Sequence, residues 1–179
     1  MRYPRINASN SKTRQNPATK IMLNLWFLSL IPIVLAYVMH LFFPDTLLLK
    51  SLADMSVNIP GFTSFNSPVL SHVFSFYSKF APLWGAVFFI SAHEKLNINI
   101  IASKLKLVGV LMCFVVLYIC ALYLLVFNDV ELTEAKKILG LMSQNDFLIM
   151  LLFGMIFTSI YFMTCYLLSY AYAVYLAIK

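Results

Sequence analysis

Four long apolar runs separated by polar connectors set the pattern of this chain. The first covers 21–43, the second about 73–92 (VFSFYSKFAPLWGAVFFISA), the third 107–127 and the fourth about 147–170. A helix needs about 20 apolar residues to cross a hydrocarbon core of about 30 Å, so each run predicts a transmembrane α-helix. Asn24 and Pro32 interrupt the first, and the proline predicts a kink. The second run is weaker, because Lys79 lies inside it. The fourth stays uncharged until Lys179 and as one helix would extend for about 48 Å. Its tail, with Tyr170, Tyr172 and Tyr175, therefore belongs in or beyond the headgroup region, where tyrosine is at home.

The connectors carry their own pattern. In the first, 44–72, the polar residues Lys50, Ser51 and Asp54 of TLLLKSLADMSV fall on one side of a helix that Asp45 or Thr46 could cap. Pro60, Gly61 and Pro68 in NIPGFTSFNSP then forbid further helix and predict a turn-rich loop. In the third connector, 128–146, Thr133 can start a short helix through EAKKIL, with Gly140 as a break. Ser143 to Asp146 matches a capping box for the fourth span, with Ser143 as N-cap and Asp146 three residues on. Within the spans, Ala81-xxx-Gly85 and Gly154-xxx-Thr158 are small-residue pairs that let helices approach closely. Either they pack the protein's own bundle or one of them receives a helix from another protein.

Composition fixes the class. With 61% hydrophobic and 11% charged residues and a mean hydropathy of +0.85, the 179-residue chain has too much apolar surface for a soluble domain of its size. It is expected to be an all-α integral membrane protein: a basic tail (1–20), then a single four-helix transmembrane domain (21–179). The first apolar run is too long for a cleavable signal and is read as a retained span. Charge orients the spans. The N-terminal tail, the second connector (93–106) and Lys179 hold nine Lys/Arg, whereas the first and third connectors hold Lys50, Lys136 and Lys137. By the positive-inside rule both termini are cytoplasmic, and connectors 44–72 and 128–146 face outward. The net charge of +6 is then a topology determinant attracted to anionic lipid, and no nucleic-acid partner is expected.

Nothing in the sequence forms a catalytic constellation, so no enzyme activity, cofactor or metal site is expected. His40, His72 and His93 are scattered between the two membrane faces, and Cys113, Cys120 and Cys165 lie inside apolar runs without ligand spacing. What remains is a binder acting within the membrane. An accessory subunit of a larger membrane complex or a small transporter are the alternatives. Four of the seven carboxylates, Asp129, Glu131, Glu134 and Asp146, crowd the third connector. Lys79 either snorkels to the headgroups or pairs with one of them.

The motifs PDTLLLK (44–50), IPGFTS (59–64), YSKFAP (77–82), ELTEA (131–135) and LMSQND (141–146) occur in order and with similar spacing in a known family. On them the chain resembles the immunity proteins of pore-forming colicins, in the group protecting against colicins of the A and B type. The resemblance implies a bacterial inner-membrane protein without enzymatic activity. It also implies a partner, the pore-forming domain of a cognate colicin, engaged through its membrane helices and hydrophobic hairpin so that the channel does not open. The positions carried by the resemblance are Pro44, Asp45, Pro60, Thr63, Ser64, Tyr77, Lys79, Ala81, Pro82, Glu131, Thr133, Asn145 and Asp146. They are expected to be toxin-facing residues or shared framework of the outward face.

Overall fold

The computed structural model describes residues 17–96, 103–135 and 138–179. Most of the basic N-terminal tail, the middle of the second connector, and Lys136 and Lys137 lie outside the described residues. In chain order the elements are α1 (Pro17–Phe42), α2 (Leu47–Ser56), β1 (Phe62–Thr63), α3 (Pro68–Ser78) and α4 (Ala81–Ala92) with a 3-10 turn (His93–Lys95). There follow α5 (Lys104–Leu122), which widens into a π-helical turn (Tyr123–Phe127), β2 (Val130–Glu131), α6 (Ile138–Met142) and α7 (Asp146–Ile178). The fold is mostly helical. Four helical units are long and apolar enough to cross a membrane: α1, α3 with α4, α5 with its π turn, and α7.

The fourth unit is the centre of the bundle, since α7 packs against α1, α3, α4 and α5. Its buried residues Ile149, Leu152, Phe153, Ile156, Phe157, Ile160 and Tyr161 recur at three- and four-residue spacing, the period of one helical face. In a bilayer, lipid is as apolar as leucine, so close packing and hydrogen bonds must hold helices together. Both are present. Gly85 brings α4 against α7 so closely that an added Cβ would lie 2.6 Å from the Cβ of Thr164. Tyr161 donates its hydroxyl to Met22 O at 2.8 Å, and Trp26 Nε1 donates to Thr158 Oγ1 at 3.0 Å, together tying α1 to α7. Pro32 lacks the N–H that would reach Leu28 O; the next carbonyl, Ser29 O, accepts the Tyr77 hydroxyl at 2.8 Å.

The remaining helices are more loosely held. No residue of α5 is buried, and it is fastened to α7 by the Tyr118 and Thr164 hydroxyls at 2.9 Å and by Tyr170 donating to Leu107 O at 3.4 Å. Gly154 has no neighbour within 4 Å of an added Cβ. It opens onto a cleft of about 460 Å³ between α1 and α7, walled by Trp26, Leu30, Val34 and Met155.

Several local expectations are corrected. The second apolar run is broken rather than continuous. Pro82 removes the N–H that would bond Ser78 O, the chain turns at Lys79 and Phe80, and α4 starts afresh with the proline in its first turn, where the missing donor costs nothing. The amphipathic helix of the first connector is α2, which buries Leu49, Ala53 and Ser56 and rests on α3. Neither Asp45 nor Thr46 caps it through a side chain: the Thr46 hydroxyl turns back to Phe43 O, and Asp45 pairs with Lys50. In the third connector, 132–134 is a turn, and the short helix comes later, as α6. Gly140 lies inside that helix rather than breaking it, and an added Cβ there would meet Ala135 O at 2.8 Å.

Candidate functional site

The first and third connectors meet at one end of the bundle. There β1 and β2 form a short parallel pair, Phe62 opposite Val130 and Thr63 opposite Glu131. Val130 N donates to Gly61 O at 3.3 Å and Leu132 N to Thr63 O at 2.8 Å. Two residues per strand cannot form a stable sheet alone, and the side chain of Glu131 supplies what is missing. Its Oε2 accepts the Thr63 hydroxyl at 2.8 Å. Its Oε1 accepts the Thr133 hydroxyl at 2.7 Å, Phe65 N at 3.0 Å and Thr133 N at 3.2 Å. Burial pushes this carboxyl upward, but the Thr133 and Thr63 hydroxyls and the two backbone N–H groups outweigh it and hold it below the usual glutamate value. With both oxygens taken by donors, Glu131 is a clamp and not a free base.

A second set of contacts joins the same connectors further along. Ser64 is buried; its N–H donates to Ser71 Oγ at 3.0 Å, and its hydroxyl lies 3.5 Å from Ser143 O. Asn66 Nδ2 donates to the same Ser143 O at 3.2 Å. Ser67, at the head of α3, donates its hydroxyl to Asp146 Oδ1 at the head of α7. The other oxygen of Asp146 lies 3.7 Å from His40 Nε2 in the last turn of α1. Three helix ends therefore converge on one carboxylate. The hydroxyl of Ser67 faces the carboxylate and not the imidazole, so this trio is not arranged as an activated nucleophile.

The expected capping box is displaced by these contacts. The N-cap of α7 is Asn145, whose Oδ1 accepts Phe147 N at 2.8 Å, and Asp146 is the first helical residue. Ser143 instead closes α6, donating its hydroxyl to Gly140 O at 2.7 Å while its carbonyl serves the first connector. A carboxylate at the first turn of α7 still suits the positive end of the helix dipole.

Lys79 is half-buried and forms no ion pair among the described residues, so of its two alternatives, snorkelling or pairing with an acid of the third connector, the pairing is not formed. Glu131 is already engaged by its four donors. Lys79 reaches up instead and donates to Pro60 O at 2.8 Å, with the Phe127 ring centroid 6.0 Å from Nζ. Gly61 sits directly on Ser75, where a Cβ would collide with the serine hydroxyl, so a larger residue there requires the Ser75 hydroxyl to turn away. Replacing Lys79 with Met should loosen the 57–66 loop by about 1–2 kcal/mol, read as faster protease cleavage there at an unchanged level of protein. Lys79→Arg, which keeps a donor, should show less of this effect.

The candidate residues thus divide. Thr63, Ser64, Glu131 and Thr133 come together in the clamp, and Asn145 and Asp146 stand beside it at the head of α7. Asp45 is apart, exposed next to α2, where the Lys50 ammonium keeps its carboxyl below the ordinary value. Tyr77 lies within the bundle, stacked on Phe157 with ring centroids 5.3 Å apart. Ala81 and Gly85 are buried, the glycine in the contact of α4 with α7, while Thr158 receives Trp26 and Gly154 borders the open cleft. Sequence reasoning missed His40, Asn66 and Ser67, polar residues whose partners are 77 to 106 positions away and leave no local pattern.

Comparison with known proteins agrees with the segments that build this face. A family profile described as colicin immunity protein matches residues 45–179, which takes in both connectors and all helices after α1. The colicin-N immunity protein of Escherichia coli is 34% identical over 118 residues, 65% of this chain and 88% of that one. The colicin-A immunity protein of Citrobacter freundii is 25% identical over 159 residues, covering 89% of each chain. The colicin-B immunity protein of Escherichia coli is 27% identical over 158 residues, 87% of this chain and 89% of that one. No solved structure matches. With the family profile spanning the clamp, the broken second span and α7 together, the chain belongs to the colicin immunity protein family.

Proposed function

We propose that this protein protects the cell carrying it by binding the pore-forming domain of a cognate colicin in the inner membrane and keeping its channel closed. Both termini lie in the cytoplasm in this reading, as the nine Lys/Arg of the tail, second connector and C-terminus favour. The first and third connectors then face the periplasm, the side from which a toxin arrives. The observation that carries the proposal is the clamp: Glu131 welds two connectors 68 residues apart into one preformed face at that end of the bundle. A preformed surface binds without spending affinity on its own ordering.

Binding alone accounts for protection. Helix recognition in a bilayer comes from close packing and a few polar contacts, and discrimination among toxins comes from misfit against the wrong one. Confinement to the same membrane raises the effective concentration of inhibitor and target for each other. One protein can therefore capture one toxin before it opens, with no turnover. Cells expressing the chain, challenged with colicins A, B and N and other pore-forming toxins, should survive at least one and remain sensitive to others. Sensitivity to every toxin of the panel, with the protein present in the membrane, would refute the proposal.

A further inference from the structure

Phe65 is 72% exposed, yet its backbone is among the most firmly held in the connectors. Its N–H donates to Glu131 Oε1 at 3.0 Å and to Thr133 Oγ1 at 3.2 Å. Ser64 before it is buried, and Asn66 and Ser67 after it are bonded to Ser143 and Asp146. The chain is thus fastened on both sides of a phenyl ring that is left uncovered. Nearby, α6, whose following residue accepts the Asn66 amide, exposes Ile138 and Leu141. Among the described residues no fold contact covers the ring, and a rigidly presented aromatic is the usual form of an interface anchor.

Charge decides what it meets. The third connector carries Asp129, Glu131, Glu134 and Asp146 against Lys136 and Lys137, a net charge of −2 from four acids and two bases. A connector of net negative charge is repelled by an anionic lipid surface, and it suits a protein segment bearing Lys or Arg. We infer that Phe65 is the anchor with which this face grips the toxin. Its occupant is an apolar helical segment of the pore-forming domain flanked by basic residues. Glu131 acts through it as a positioning residue. This inference rests on the immunity reading above.

The test uses the whole chain in cells and the colicin against which it protects. Phe65→Ala should lower the protective toxin dose about tenfold or more at an unchanged membrane level, as expected for loss of an anchor, and Phe65→Trp should restore it. A photo-crosslinking phenylalanine analogue at position 65 should form an adduct with the toxin, mapping to an apolar stretch with Lys or Arg at its end. Full protection by Phe65→Ala at a normal level would overturn the inference and leave the immunity reading standing. So would an adduct with lipid or with a second copy of this chain only, and this arm decides the matter if Phe65→Ala lowers the level. Lack of protection by the unaltered chain would overturn both.

Discussion

Gly85→Leu is expected to push α4 off α7 and to remove most of the protein from the membrane fraction. The position has no slack. Its Cβ would lie 2.6 Å from Thr164 Cβ and 2.7 Å from Thr164 Cγ2, and the carbonyl of Tyr161 is 3.4 Å away. Thr164 cannot turn aside, because its hydroxyl is bonded to Ile160 O at 2.8 Å and to the Tyr118 hydroxyl at 2.9 Å, the latter holding α5. Forcing methylenes into such a contact costs about 1–3 kcal/mol or more, here on the most central helix pair. Gly109 on α5 has nothing within 4 Å of an added Cβ, so Gly109→Leu should change little, within about 0.5 kcal/mol. Membrane levels and thermal midpoints in detergent compare the two. Equal behaviour would mean that α4 and α7 do not meet at Gly85.

The second large effect belongs to Glu131. Glu131→Ala removes the acceptor for four donors at once and leaves the Thr63–Glu131 pairing with only its backbone bonds. Charge-assisted hydrogen bonds contribute about 1.5–3 kcal/mol each, discounted here because the side chain is partly exposed; a local loss of about 2 kcal/mol is expected. It should appear as faster amide exchange at Val130 and Leu132, whose N–H groups bond the first connector. The clamp should also respond to acid. Its carboxyl is held below the ordinary glutamate value of about 4.3. The stabilisation is therefore complete above that pH and is lost as pH falls through the lower folded value. Protection of Val130 and Leu132 should fall on acidification below that ordinary value in the unaltered protein. In Glu131→Gln it should be weaker throughout and independent of pH in that window.

The four span-length helices were legible because apolar runs of that length have few other meanings. The amphipathic α2 was legible for the same kind of reason, one polar side read at helical spacing. The clamp was not. Two strands of two residues have no alternation to detect, and their pairing depends on Glu131 reaching across to Thr63. Ser143 and Asn145 are both good N-caps by composition. The choice between them was made at long range, by Asn66 and Ser64 drawing on the Ser143 carbonyl. Lys79 was left open for a related reason. Four carboxylates on the same side made an ion pair one of two alternatives, but its ammonium goes to the backbone carbonyl of Pro60, which neither helix nor strand claims. Pro82 did announce the break between α3 and α4, since proline belongs in a first turn, but the hydropathy of the surrounding window obscured it.

The most direct test of the central claim is potassium efflux from cells expressing this chain after addition of the colicin they survive. Capture before opening predicts that toxin reaches the inner membrane and that potassium is retained, with efflux restored in Glu131→Ala. Survival accompanied by the same efflux as unprotected cells would contradict the account, because the channel would then open and protection would arise after it.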